Sequence, residues 1–78
     1  MRLKLSAAGN IGRLLPRSGH AEVADGITIA RLITQLRLPT DRGYLVAVNN
    51  QMVSTADYAD RVLEADDEVM LMPPLKGG

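Results

Sequence analysis

The stretch TIARLITQL, residues 28–36, decides the fold of this chain. Its apolar positions recur at the i, i+3, i+4 and i+7 spacing of an amphipathic helix with one apolar stripe. These positions are Ile29, Leu32, Ile33 and Leu36. Thr28 suits the N-cap, Arg37 suits the last turn, and Pro39 is expected to stop the helix. The rest of the chain must then supply the surface on which this stripe packs.

Strand patterns lie on both sides of the predicted helix. The first alternates apolar and polar residues, and a later pair is joined at Asn49-Asn50, which tolerate left-handed turn geometry. Two strands, a crossing helix, a hairpin and a last strand predict an α+β, β-grasp roll with a mixed sheet of four to five strands and one main helix. The predicted strands cover residues 2–6, 20–23, 44–49, 51–53 and 68–72, with a short helical turn within residues 54–64.

Strand alternation divides the apolar residues between two faces of the predicted sheet. One face receives the helix stripe and is formed by Leu3, Leu5, Val46, Val48, Val69 and Leu71. The other face carries Leu45, Ala47, Met70 and Met72, and the sequence predicts no second helix to cover it. We therefore expect an exposed patch that binds partners. The alternative is that residues 7–19 fold over these side chains as a minor core.

Length and composition indicate the number of domains and the broad class of the protein. Its 78 residues are enough for one domain, with 46% apolar residues but no Phe, Trp or Cys. Nine basic residues balance nine acidic ones, so no charged field favours nucleic acid or anionic lipid. No apolar run approaches the length that spans a membrane. We expect a cytoplasmic protein that has neither nucleic acid nor a membrane as a partner.

The chain offers few groups for catalysis or metal binding. It has no cysteine, and its single histidine, His20, has no recognisable catalytic partners in the sequence. One histidine without a thiolate supplies too few ligands for a zinc site. The acids within residues 64–68 suit a solvated turn better than a metal site, and Gly9 and Gly12 suit a turn better than a phosphate-binding loop. We therefore expect no enzyme activity, no metal and no bound cofactor.

The stretch PPLKGG, residues 73–78, carries the strongest functional signal. Its two prolines favour an extended path, and its two glycines present a slim backbone with an open carboxylate. These features suit a group that is presented to another protein's active site, although chain ends are also commonly glycine-rich and frayed. The sequence predicts a folded domain over residues 1–72 and a flexible tail over residues 73–78.

Three motifs resemble the ubiquitin-like sulfur carriers, a family that includes the small subunit of molybdopterin synthase and the sulfur carrier of thiazole (thiamine) biosynthesis. They are VAVNN at residues 46–50, LEADDEV at residues 63–69 and the proline-led diglycine of the tail. The tail is closer to the molybdopterin branch, and residues 58–63 look more like the thiazole carrier. The chain departs from the family at Asp67, where a glycine is usual, and at Lys76, where the molybdopterin branch has a small residue.

The resemblance implies that Gly78 is adenylated by an ATP-using, ubiquitin-activating-type adenylyltransferase and becomes a thiocarboxylate that donates sulfur, with Gly77 providing clearance. A sulfur donor and a sulfur-acceptor synthase are the other implied partners, and the pathway, molybdopterin, thiazole or another, stays open. Two alternatives remain: a ubiquitin-like modifier conjugated through Gly78, and a β-grasp binding module with an inert tail. The residues expected to bind partners are Leu45, Ala47, Met70, Met72, Pro73, Pro74, Leu75 and Lys76.

Overall fold

Five strands and one helix make up the regular structure of the computed structural model, which describes residues 1–8, 15, 18–38 and 44–73. The predicted β-grasp fold, with one helix on a mixed sheet, is confirmed. A 3₁₀ turn lies where the sequence predicts a short helical turn. The strands are β1 (Arg2–Ala7), β2 (His20–Glu22), β3 (Leu45–Val48), β4 (Gln51–Val53) and β5 (Glu68–Met72), the helix is α1 (Ile29–Gln35), and the 3₁₀ turn covers Thr55–Asp57.

The sheet places its first and last strands side by side. The strand order is β2-β1-β5-β3-β4, so β5 lies at the centre. β1 and β5 run parallel, with Leu5 beside Val69, whereas the other neighbouring strands are antiparallel. A parallel pair requires a long crossover connection, and α1 lies within it. The strand that leads towards the tail is therefore paired along both of its edges.

The apolar side of α1 packs on the inner face of the sheet, as predicted. Ile29 and Leu32 are fully buried, and Ile33 and Leu36 pack against the same core while partly exposed. The six strand residues predicted to meet them are all buried. The core also includes the central residue of β2, together with residues next to strands and in loops, that the periodicity did not select. These are Ala21, Val23, Ile27, Leu38, Tyr44 and Leu63.

The helix ends at Gln35, so Arg37 lies beyond it and the prediction that Arg37 occupies the last turn is wrong. The Arg37 N–H donates to the Thr34 carbonyl at 3.0 Å, and the Leu38 N–H donates to the Ile33 carbonyl at 3.5 Å. This pair of bonds is a Schellman cap, in which the residue after the cap is left-handed and usually glycine. Arg37 takes that position with a φ of 58°. The chain thus leaves the helix before Pro39, which lies outside the described residues.

The connection between β4 and β5 runs past the N-terminal end of α1. Carbonyls of Tyr58 and Arg61 accept hydrogen bonds from the N–H groups of Ala30 (2.9 Å) and Ile29 (3.2 Å). These helix N–H groups have no partner within the helix, so the connection satisfies them. The Tyr58 hydroxyl donates to the Tyr44 carbonyl at 2.8 Å, and burial raises the pKa of Tyr58. The connection is therefore anchored to both the helix and the sheet.

Candidate functional site

An apolar patch lies on the face of the sheet that points away from α1. Strand pairing places Leu45 beside Met72 and Ala47 beside Met70, and Ala47 also pairs with Met52 on its other side. We call these five residues the outer patch. The alternation that the sequence predicts for Leu45, Ala47, Met70 and Met72 is confirmed, because none of them belongs to the inner core. Their role in binding partners remains a prediction.

Members of the outer patch differ in exposure. Met52 is 60% exposed and Met70 is 36% exposed, whereas Leu45 and Met72 are half-buried. Ala47 is buried, contrary to the expectation that all four predicted residues are exposed. Its short side chain lies between two long neighbours, Met52 and Met70, on the adjacent strands. A partner that approaches this face therefore meets the two methionines before it meets Ala47.

Met52 is a candidate contact residue that the sequence reasoning missed. Residues 51–53 read as a short return arm, with no indication of which side chain joins the patch. In the structure, the turn at Asn49-Asn50 pairs Val48 with Gln51, so the next pair outwards joins Ala47 to Met52. Counting positions from a two-residue hairpin turn supplies this assignment, because loop length fixes the register of a hairpin.

A charged region borders the outer patch on the same face. Arg2 and Lys4 of β1 lie beside Glu22 and His20 of β2, and Lys4 also pairs with Glu68 of β5. The Arg2 Nε atom is 3.1 Å from the Glu22 Oε1 atom, in an exposed pair. Such a pair stabilises the fold little in water. Among the residues that the structure describes, the apolar part of the outer face thus lies on β3, β4 and the second half of β5.

The outer patch lies at the place where the tail begins. Met70 and Met72 occupy the end of β5, and the exposed Pro73 follows directly. The remaining predicted contact and acceptor residues lie outside the described residues, and their roles stay predictions. These are Pro74, Leu75, Lys76, Gly77 and Gly78. Six fully extended residues reach about 20 Å, so any protein that binds Gly78 must approach the end of β5.

Two of the motifs that carry the family resemblance meet at the opposite end of β5. The Asn49 side chain donates to the Asp67 carboxylate at 3.0 Å and accepts from the Glu68 N–H at 2.9 Å. The other oxygen of Asp67 accepts from the Glu64 N–H at 2.8 Å. This network ties the β3–β4 turn to the turn before β5. It therefore fixes the register that places Met70 beside Ala47.

Three residues in these turns adopt the left-handed conformation that favours glycine. Asn49 and Asn50 have φ values of 51° and 69°, as their turn prediction requires. In the second turn the left-handed residue is Asp66, with a φ of 67°, and not Asp67. The family's glycine position thus corresponds in this chain to a residue whose carboxylate organises the turn.

Outside the outer patch, the described residues offer little other chemistry. Within residues 1–8, 15, 18–38 and 44–73, no three His, Asp or Glu side chains are placed to hold a metal ion. His20 is exposed, and its Nδ1 atom is 2.9 Å from the Ser18 carbonyl oxygen. No helix in this part of the chain has the length and apolar character needed to cross a membrane.

Comparison with known proteins assigns the chain to a family. The sequence model of the ThiS family matches residues 11–78, which include the diglycine. The chain belongs to the ThiS family. The predicted resemblance to the ubiquitin-like sulfur carriers is thereby confirmed. A search of the curated proteins gave no match.

Solved structures show the same fold. The thiamine biosynthesis protein (ThiS) from Geobacter metallireducens is similar with a TM-score of 0.73 at 15% identity. SAMP1 from Haloferax volcanii is similar with a TM-score of 0.63 at 16% identity. Both alignments cover 100% of this chain and 100% of the other chain. At such low identities the likeness establishes the β-grasp fold alone.

Proposed function

We propose that this chain is a sulfur carrier whose Gly78 carboxylate is adenylated by a ubiquitin-activating-type enzyme and then converted to a thiocarboxylate. The observation that carries the proposal is the ThiS family match over residues 11–78, which extends through the diglycine. The thiocarboxylate then donates its sulfur to a synthase in a biosynthetic pathway. Membership of the ThiS family favours thiazole formation for thiamine over the molybdopterin pathway.

The proposed chemistry needs an activated carboxylate, because a free carboxylate is a poor electrophile. The activating enzyme joins the Gly78 carboxylate to the AMP portion of ATP and releases pyrophosphate. A sulfur donor then displaces AMP and leaves a thiocarboxylate. ATP binds to the activating enzyme, and the carrier supplies the acceptor. Since the chain contains no cysteine, this thiocarboxylate is its one thiol-like sulfur.

The outer patch is the surface on which the activating enzyme is proposed to dock. An enzyme that holds Gly78 in its active site must contact the carrier within about 20 Å of Met72. Met52 and Met70 supply exposed apolar area there, whereas β1 and β2 present charges on the same face. Methionine adapts to irregular pockets, so the same patch suits the synthase that later accepts the sulfur.

A thiol-specific label tests the proposal directly. The chain is incubated with the activating enzyme, ATP and a sulfur donor, and then treated with iodoacetamide. We expect one label per chain, at Gly78, because no cysteine competes for the reagent. The matched controls are a chain that lacks Gly78 and a Gly77→Val variant, in which the added β-branched side chain blocks the narrow path to the active site.

The outcomes separate the proposal from its alternatives. Absence of label on the wild-type chain, or label on the chain without Gly78, contradicts the carrier function. Larger conjugates that require Gly78 identify a protein modifier. Where label appears, incubating unlabelled thiocarboxylated chain with thiazole synthase or with the large subunit of molybdopterin synthase, each with its other substrates, before iodoacetamide is added identifies the acceptor, since the correct synthase removes the sulfur and the label is then lost.

A further inference from the structure

We propose that Met52 and Met70 form a reversible oxidation site that controls docking of the activating enzyme. This inference rests on the proposed function, because it concerns the surface through which that enzyme binds. The two methionines flank Ala47 on adjacent strands. Conversion of their thioethers to sulfoxides places a polar group on each side of the buried alanine and turns the centre of the outer patch from apolar to polar.

Exposure predicts the order in which the methionines react. Met52 is 60% exposed and Met70 is 36% exposed. Met72 is half-buried beside Leu45, and Met1 packs against the inner core, with its amino group bonded to the Val23 carbonyl at 2.7 Å. Met52 and Met70 are therefore expected to oxidise first, and Met72 and Met1 later.

While the Gly78 carboxylate is free, no thiol of the chain competes with its methionines for an oxidant. The chain contains no cysteine, whose thiolate would otherwise react with a peroxide in place of the thioethers. In the forward step a thioether sulfur attacks one oxygen of hydrogen peroxide. The O–O bond breaks and an S–O bond forms, so the sulfur loses two electrons and the peroxide is reduced to water. In the reverse step a dithiol reductase removes the oxygen as water, and its two thiols become a disulfide.

The fold tolerates this change because the two sites are outside the core. Neither Met52 nor Met70 belongs to the core cluster between the sheet and α1. The docking surface does not tolerate it. A sulfoxide oxygen that a partner covers without a hydrogen bond loses its water, and burying such a polar group opposes binding. Oxidation is thus expected to slow activation while the domain stays folded.

Peptide mapping and an adenylation assay test this inference together. The chain, with its Gly78 carboxylate free, is treated with hydrogen peroxide until Met52 and Met70 are oxidised. Trypsin cleavage at Arg61 separates Met52 from Met70 and Met72, and fragment spectra distinguish the latter two. AMP transfer by the activating enzyme is then measured before treatment, after treatment, and after repair by methionine sulfoxide reductases. Adenylation precedes sulfur transfer, so oxidation of the thiocarboxylate itself does not interfere.

We expect at least about a fivefold fall in AMP transfer after oxidation, about 1 kcal/mol at the conversion of 1.4 kcal/mol per tenfold, and its recovery after repair. The control is a Met52→Leu, Met70→Leu double variant, judged by the ratio of its own treated and untreated rates. That ratio is expected to stay near one, because leucine does not form a sulfoxide.

The results that overturn the inference are distinct from those that overturn the function. Oxidised wild-type chain that accepts AMP at its untreated rate contradicts the inference, as does an equal loss in the double variant or a loss that the reductases do not restore. Oxidation of Met72 or Met1 before Met52 and Met70 contradicts the assigned site. Untreated chain that accepts no AMP contradicts the proposed function. The proposed regulation of docking by oxidation is then contradicted as well.

Discussion

The two faces of the sheet are built from alternate residues of the same strands. One face is covered by α1, whereas the other carries exposed methionines. On the inner face Val46, Val69 and Leu71 are completely buried beneath α1. On the outer face Met52 is 60% exposed and Met70 is 36% exposed. Alternation assigns side chains to a face, but a covering element decides what that face does. The inner face stabilises the domain, and the outer face is left to a partner.

The strongest test of this contrast removes a side chain of α1 that packs on the inner face. Leu32 is fully buried on α1, so Leu32→Ala is expected to lower the free energy of unfolding by about 2 to 5 kcal/mol. That is a large share of the about 5 to 15 kcal/mol that holds a small domain together. Met70→Ala, the control on the outer face, is expected to lower it by less than about 1 kcal/mol. Urea denaturation measures both, and equal losses would show that the two faces do not differ.

A second test removes the side-chain hydrogen bonds that fix the pairing of β3 with β5. Asn49→Gly keeps the left-handed turn but removes the side chain that bonds Asp67 and Glu68. We expect a loss of about 1 to 3 kcal/mol in the free energy of unfolding, since the Asp67 carboxylate and the Glu68 N–H lose a partner.

The matched control for this test is Asn50→Gly. Asn50 has the same left-handed backbone, with a φ of 69°, and its side chain makes no hydrogen bond within the described residues. Its replacement is expected to be close to neutral in the same denaturation experiment. A similar loss for both variants would assign the effect to the turn backbone and not to the network.

A third test places charge on the outer face. Leu45→Lys and Met70→Lys are expected to slow AMP transfer by about tenfold, equivalent to about 1.4 kcal/mol, because a buried ammonium group opposes docking. Stability is expected to change little at Met70, where lysine can keep its charge in water. Val62→Lys is the control, since Val62 is 50% exposed and lies on the β4–β5 connection, away from the patch. Unfolding of the Met70→Lys variant would place the patch inside the protein.

The fold could be predicted from the sequence because its main signals are periodic. The stripe in residues 28–36 and the alternation in β1, β3 and β5 each repeat within one element, so a single sequence reveals them. The features that were missed depend on relations between elements. Ala47 is buried because two methionines from separate strands flank it, and Arg37 is left-handed because two hydrogen bonds close the helix end.

The candidate site also combines a local sequence motif with features that depend on how the strands pair. The diglycine is a local motif and was found by reading the tail, and the ThiS family match extends through it. The outer patch needed both alternation and pairing: alternation selected four of its residues, and the pairing of β3 with β4 added Met52. The charged region beside it follows from the position of β1 next to β2 and β5, which the chain order alone does not give.

The smallest expected effect concerns a polar atom at the edge of the outer face. Ser6 pairs with Met70, and within the described part of the chain its Oγ atom is buried without a hydrogen-bond partner. A buried hydroxyl that makes no hydrogen bond opposes folding. Ser6→Ala is therefore expected to raise the free energy of unfolding by up to about 1 kcal/mol. The control is Ser54→Ala, since the Ser54 Oγ atom accepts from the Ala56 N–H at 3.3 Å and caps the 3₁₀ turn. That variant is expected to lose about 0.5 to 1 kcal/mol, and a loss of the same size for Ser6→Ala would mean that the Ser6 hydroxyl has a partner in solution.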